Sequence, residues 1–274
     1  MSRPFQAACL QVNAQPDIAA NLAVVGDLAR QAKAKGAEMV LLPENVAMMD
    51  FGRPNIVAKA APEDRHPALA GLSALAAELG VWLHGGTIHV LLDDGRVANR
   101  SYVFDPKGGR VAQYDKIHMF DVDLDGGESY RESQTFRPGE RAVVVSTPWG
   151  GLGLSVCYDL RFPHLYRALA KAGASMLAVP AAFTRQTGQA HWHVLLRARA
   201  IENGCWVLAS AQCGDHAGNR QTFGHALIVD PWGVVVADAG ETPGLAMATI
   251  DPLQSAEARR KIPALSHDRP FTLA

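Results

Sequence analysis

Three short segments carry residue types that together could run nucleophilic hydrolysis. Leu41-Leu42-Pro43-Glu44-Asn45 ends an apolar run abruptly on a carboxylate. Tyr114-Asp115-Lys116-Ile117-His118 sets a lysine directly after a strand-like run. Gly153-Leu154-Ser155-Val156-Cys157-Tyr158-Asp159-Leu160-Arg161-Phe162-Pro163 passes from small apolar residues into a cysteine, a polar turn and a proline suited to a first helical turn. That is a strand, a nucleophile, a turn and a helix, the logic of an elbow that presents a nucleophile over a sheet edge. A thiol with an ordinary pKa of about 8.5 is mostly protonated at neutral pH and needs a base or a cation to react. Glu44 could be that base. Lys116 could stabilise both the thiolate and a tetrahedral oxyanion, with the Tyr158 N–H as a second donor. Taken singly, each residue has an ordinary reading: a solvated Glu near a helix start, a surface Lys, a buried core Cys. Cys9, Cys205 and Cys213 read as structural thiols within or beside strands.

Elements must bring these segments together. Phe5 to Val12 alternates as a strand, and Asp17 can cap a helix from Ile18 to Ala34 that ends at Gly36. Met39 to Leu42 reads as a short buried strand stopped by Pro43. A helix over His66 to Leu79 stops at Gly80. Val81 to Leu92 and Val97 to Phe104 form a hairpin around Asp94-Gly95, and Arg110 to Tyr114 follows. Lys116 to Pro138 is polar and without period; a loop this long inside a compact domain is usually functional. Strands are expected at Ala142 to Ser146, Gly153 to Cys157, Met176 to Val179, Trp206 to Ala211, Ala226 to Asp230, Val234 to Ala237 and Leu245 to Ile250. Helices are expected at Pro163 to Ala172 and Thr187 to Asn203, with a short charged one after Pro252. Many strands with few helices favour two sheets over one doubly wound sheet.

The bulk properties exclude several classes. Of 274 residues, 48% are hydrophobic and 19% charged, a globular balance, and the formal net charge is −1. Nothing here suggests a nucleic-acid or anionic-membrane partner. No window approaches the roughly 20 apolar residues that cross a bilayer. The N-terminal MSRPFQAACLQV has no export pattern, so a cytoplasmic chain is expected, its four cysteines free and none in a CxxC pair. No linker, repeat or low-complexity tract divides it, and residues 1–274 read as one domain. A metal-dependent hydrolase using His191 and His193 is a poor alternative, because i, i+2 residues leave a helix on different faces.

At Leu-Pro-Glu44, Asp-Lys116-Ile-His and Val-Cys157-Tyr-Asp-Leu-Arg-Phe-Pro163 the chain resembles the carbon–nitrogen hydrolase (nitrilase) superfamily, and the resemblance runs from Ala7 to Arg269-Pro270. It implies an α/β fold, a four-layer α-β-β-α sandwich, in homodimers or higher homo-oligomers. A second acidic residue is implied in the loop after the lysine; Glu132 fits best, with Glu128 a nearby competitor. Two branches of small amidases for 2-oxo acid amides look similar. Ser210-Ala211-Gln212-Cys213-Gly214, Phe223-Gly224-His225 and Val229-Asp230-Pro231-Trp232-Gly233 look more like the deaminated glutathione amidases than the omega-amidases for 2-oxoglutaramate.

The resemblance implies that Glu44 takes the Cys157 proton and that a thioester forms and is hydrolysed. Glu132 would orient Lys116. No metal or organic cofactor would be needed. The carboxylates of the small-molecule amide require a cation, for which Arg161 and Arg185 are the candidates. Arg161 better suits a structural ion pair with a nearby Asp or Glu, and an Arg at 185 departs from both branches. Arg197, Arg199 and Glu202 suit a structural network or an interface. Tyr130 and Phe183 could line the pocket or simply pack. A carbamoylase or a nitrilase proper remains the alternative within the superfamily.

Overall fold

The computed structural model describes residues 3–124, 127 and 129–274. The chain begins with β1 (Phe5–Val12), α1 (Ile18–Ala34) and β2 (Met39–Leu41). Helices α2 (Arg53–Lys59) and α3 (Pro67–Leu79) precede a meander of β3 (Trp82–Leu91), β4 (Val97–Phe104) and β5 (Arg110–Asp115). A small hairpin follows, β6 (Asp121–Asp123) with β7 (Ser129–Arg131). Next come β8 (Val144–Thr147), β9 (Gly150–Leu154), α4 (Pro163–Lys171), β10 (Ala174–Ala178), α5 (Arg185–Asn203) and β11 (Trp206–Ala209). The rest is β12 (Ala211–Asp215), β13 (Gln221–Phe223), β14 (Leu227–Val229), β15 (Val235–Asp238), β16 (Gly244–Ile250) and α6 (Leu253–Lys261).

Two mixed sheets result. The first runs β13-β12-β1-β2-β3-β4-β5, with β16 antiparallel to β1. The second runs β15-β14-β11-β10-β9-β8. In each, helical crossovers join parallel strands: α1 joins β1 to β2, α4 joins β9 to β10, and α5 joins β10 to β11.

Period-two alternation sorts side chains into layers. Ala8, Leu10, Val12, Val40 and Leu42 share a core with Val25, Ala29 and Ala32 of α1 and Ala68, Leu72 and Ala76 of α3. Their immediate neighbours Ala7, Cys9, Met39 and Leu41 point the other way, into a core with Leu152, Leu154, Met176 and Ala178 of the second sheet. The same core takes in Leu165 and Leu169 of α4 and Trp192 and Leu196 of α5. The order of layers is therefore helix, sheet, sheet, helix, as the resemblance implied. Each fully buried Leu or Val adds about 1.5–3 kcal/mol, which is why continuous apolar strands suit a sheet covered on both faces.

Three departures from the expected elements bear on the site. Trp206 to Ala211, expected as one strand, breaks at Ser210: β11 lies in the second sheet and β12 in the first. Ser210 Oγ donates to the Leu41 carbonyl at 2.9 Å, and Ala181 N donates to the Ser210 carbonyl, so the switch is made by hydrogen bonds that an apolar pattern does not encode. The loop from Lys116 to Pro138 contains the β6–β7 hairpin and a helical turn, Glu132–Gln134. The strand expected to reach Cys157 stops at Leu154, and Cys157 opens a short 3₁₀ turn, Cys157–Arg161. Helix α2 and strand β13 are too short to show a period. Among the described residues, no helix is long and apolar enough to cross a membrane.

Candidate active site

The strand β2 hands its chain to Pro43, and Glu44 follows. Gly86 holds this strand end in place. Its φ is +59°, and a Cβ there would lie 2.0 Å from the Pro43 carbonyl oxygen, a separation only glycine permits. Gln212 Nε2 donates to the Glu44 carbonyl at 2.9 Å. The Glu44 side chain is 2% exposed. Its Oε1 accepts from Lys116 Nζ at 3.0 Å and from Asn99 Nδ2 at 2.9 Å, and its Oε2 accepts from the Ala182 N–H at 3.0 Å.

Lys116 is equally buried, at 2%. Its Nζ donates to both Glu132 oxygens, at 2.9 and 2.8 Å, as well as to Glu44. Burial works against its charge, yet the two carboxylates and the nearby Cys157 hold the ammonium well above the usual lysine range. Glu132 is fixed in turn, accepting from the Phe120 N–H at 2.6 Å.

Cys157 sits at φ +48°, a left-handed conformation that a non-glycine residue adopts at a cost of about 1–3 kcal/mol and that clusters at functional sites. Asp159, fully buried, anchors this elbow. Its Oδ2 accepts from Val156 N at 2.8 Å and from the Tyr114 hydroxyl at 2.7 Å, and its Oδ1 accepts from His118 N at 3.0 Å. Tyr114 and His118 flank Lys116 by two residues on either side, so Asp159 ties the cysteine turn to the lysine strand end. The turn's first backbone bond runs from Asp159 N to Val156 O, which leaves the Tyr158 N–H ahead of it.

Electrostatics divide the protons. Burial raises the Glu44 carboxyl, but attraction to Lys116, a hydrogen bond from Cys157 and the charge of Arg220 outweigh it, so the group stays below its ordinary value. Burial, and then the Glu44 charge, push the Cys157 thiol well above its ordinary value. The resting pair is therefore a carboxylate and a thiol, not a carboxylic acid and a thiolate.

These groups line a cavity of about 390 Å³, within the range of small-molecule sites. Of the residues expected from the sequence, Glu44, Lys116, Glu132 and Cys157 meet there, and Tyr130, Tyr158 and Phe183 line the wall. Glu128 lies outside the described residues. Arg185 does not reach the cavity: it is exposed at the start of α5, where Thr184 caps the helix and Thr187 takes the inward position. Arg161 also lies outside the lining; it contacts His191 Nδ1 at 3.3 Å and covers the Phe183 ring, and among the described residues it has no carboxylate partner, so the expected ion pair is not formed there. Arg199 pairs with Glu202 and donates to the Leu160 carbonyl, a structural network.

Besides Lys116, the cations that line the cavity among the described residues are Arg53, Arg131 and Arg220. Sequence reasoning missed them, and it missed Asn99, which bridges Glu44 and Glu132 at 2.9 and 3.4 Å. Asn99 had one signal: polar Asn99-Arg100-Ser101 interrupts a strand that is otherwise apolar. His191 and His193 part company. His193 joins His225 and Asp238 in a separate hydrogen-bonded cluster of potential metal ligands, away from the cavity lining.

With this geometry in hand, likeness to known proteins becomes informative. Residues 6–260 match the carbon-nitrogen hydrolase family. The chain is 42% identical to a deaminated glutathione amidase of Synechocystis sp., over 97% of this chain and 98% of that protein. Saccharomyces cerevisiae Nit3, a member of branch 10 of the nitrilase superfamily, has a similar structure: TM-score 0.89, 30% identity, 99% of this chain and 98% of that one. An amidase from Nesterenkonia sp. AN1, with acrylamide added at its active-site cysteine, gives a TM-score of 0.80 at 29% identity, covering 94% of this chain and 99% of that one. By family match and near full-length likeness, this chain belongs to the carbon–nitrogen hydrolase family of the nitrilase superfamily and is a hydrolase of non-peptide carbon–nitrogen bonds.

Proposed function

We propose that this chain is a cysteine amidase that cleaves deaminated glutathione to 2-oxoglutarate and cysteinylglycine. The observation that carries the reading is the meeting of Glu44, Lys116, Glu132 and Cys157 in one cavity, with Glu44 and Glu132 both bonded to the Lys116 ammonium. The relative from Synechocystis, which bears that activity in its name, supports the choice of substrate.

Glu44 accepts the Cys157 proton as sulfur attacks the amide carbon. The developing oxyanion is held by the Lys116 ammonium and the Tyr158 N–H; losing one such donor typically costs about 10²–10³ in turnover. The protonated Glu44 gives its proton to the departing amine as the carbon–nitrogen bond breaks. Water then attacks the thioester, Glu44 takes its proton, and the acid leaves as sulfur is reprotonated. Glu132 holds Lys116 in place through both steps, and the reaction consumes one water.

Comparing turnover of deaminated glutathione and 2-oxoglutaramate tests the assignment. The first is expected to react faster. A far faster second substrate would move the chain to the omega-amidase branch and leave the chemistry intact. Preferential release of amine from N-carbamoyl compounds, or of ammonia from nitriles, would overturn the amidase reading. The same proposal includes a homodimer. Val194 and Ile201, one helical stripe of α5, are 66% and 54% exposed, and Trp232 nearby is 55% exposed. A monomer by light scattering at working concentration would remove that part.

A further inference from the structure

Two carboxylates around one ammonium leave the reacting end of the cavity with excess negative charge. A substrate bearing carboxylates must therefore meet a cation nearby. Arg220, on the turn between β12 and β13, is built for this. Its guanidinium carbon lies 5.4 Å from the Phe51 ring centroid and 5.3 Å from that of Tyr130, so two aromatic faces fix its plane. Its Nη2 donates to the Ala182 carbonyl at 2.7 Å. Its Nε is buried with no hydrogen-bond partner. Among the described residues no carboxylate lies within ion-pair distance of it, in contrast to Arg131, which pairs with Asp123, and Arg100, which pairs with Asp115 and Glu63. A buried donor left unmade is costly, and a native structure that keeps one calls for an explanation.

Ala182 sets the distance to the chemistry. Its carbonyl anchors Arg220, while its N–H donates to Glu44 Oε2 at 3.0 Å, beside Cys157. The Arg220 guanidinium is thus tied to the base through the single residue Ala182. Arg53 and Arg131 line the same cavity but are exposed. In a two-step acyl transfer the acyl half stays bound while the amine half leaves, so the inner cation suits the former and the outer ones the latter.

Resting on the amidase reading, we propose that Arg220 is a carboxylate-binding, specificity-determining residue that holds the acyl-side carboxylate of an ω-amide of a dicarboxylic acid. A rigid guanidinium fork suits bidentate carboxylate binding, which an ammonium cannot reproduce.

The test uses wild type, Arg220→Gln and Arg220→Lys with three substrates: deaminated glutathione, its ester at the oxoglutaryl carboxylate, and its ester at the glycine carboxylate. Charged hydrogen bonds of this kind correspond to roughly 10–10²-fold in affinity. Arg220→Gln is expected to lose on the order of 10² in kcat/KM, mostly through KM, on the parent and the glycine ester. On the oxoglutaryl ester, which wild type itself handles poorly, it should lose no more than about 3-fold. Arg220→Lys should fall between, which also guards against a glutamine variant that fails to fold. Equal losses on all three substrates would make Arg220 structural and overturn the proposal while the amidase stands. Losses that spare only the glycine ester would place Arg220 on the leaving group and overturn it equally. A wild type idle on deaminated glutathione, 2-oxoglutaramate and other amides alike would refute the amidase reading, and this one with it.

Discussion

Replacing Glu132 by Gln probes the arrangement around Lys116 most sharply. Glu132 accepts from Lys116 Nζ through both oxygens, at 2.8 and 2.9 Å, and from the Phe120 N–H at 2.6 Å. The amide keeps one acceptor and turns a donor toward either the ammonium or the Phe120 N–H, so at least one charge-assisted bond is lost. Such bonds contribute about 1.5–3 kcal/mol, or roughly 10–10² in rate where the lysine must hold an oxyanion. The pH profile adds a sign. Lys116 is shared by two carboxylates; with one neutralised, its full attraction falls on Glu44, and a negative neighbour of Glu44 has gone. Both changes favour the Glu44 carboxylate, which already sits below its ordinary value. The acid limb of kcat/KM, which reports free-enzyme ionisations, should therefore move to lower pH while the plateau drops by roughly 10–10². Steady-state kinetics from pH 4 to 9, with unfolding curves as a control, measure both (a range chosen to bracket ordinary carboxylate and thiol values). An unchanged plateau, or an acid limb displaced upward, would refute the role given to Glu132.

Other perturbations bear on how the site is held. Asp159→Asn should weaken the tie between the cysteine turn and the lysine strand end, lowering stability by about 2 kcal/mol or more and activity with it; denaturant unfolding with activity at each point checks this, and an unaltered midpoint would contradict it. Gly86→Ala places a Cβ 2.0 Å from the Pro43 carbonyl oxygen at φ +59°, so a destabilisation of at least about 2 kcal/mol is expected, with loss of turnover as Glu44 shifts. Glu44 itself makes the fold pH-dependent. Its carboxyl is depressed in the folded chain, so its contribution is present above the ordinary carboxylate value and lost as pH falls through the folded one. Glu44→Gln should flatten that acid-side decline in melting temperature; an identical decline would show that other carboxylates set it.

How much of this was legible in the sequence follows from what each feature depends on. β1, β4 and α1 have the extents that alternation, the Asp94-Gly95 turn and the Asp17 cap predict, because side-chain pattern, turn chemistry and a capped helix start are local properties. The catalytic candidates stood out by position: Glu44 and Cys157 each end an apolar run, and Lys116 follows a strand and opens a long polar stretch. The long polar stretch from Lys116 to Pro138 also announced itself, since it could not form a core. What failed was long-range. Ser210 ends a strand only because Leu41 and Ala181 stand opposite it. Arg220 and Arg185 look alike along the chain; the cavity side of one is set by Phe51, Tyr130 and Ala182, which are distant in sequence. Gln212 appeared as part of a resemblance, and its work, gripping the Glu44 carbonyl from β12, became visible only once the sheets were placed.

The central claim is that Cys157 carries the acyl group. Rapid-quench mass spectrometry of enzyme mixed with deaminated glutathione tests it directly. The other three thiols are buried, with burial raising Cys9 to about 12 and Cys205 and Cys213 to about 11. The account predicts a transient oxoglutaryl adduct on the peptide containing Cys157, and neither adduct nor turnover in Cys157→Ala. An adduct on another residue, or wild-type turnover in that variant, would contradict it.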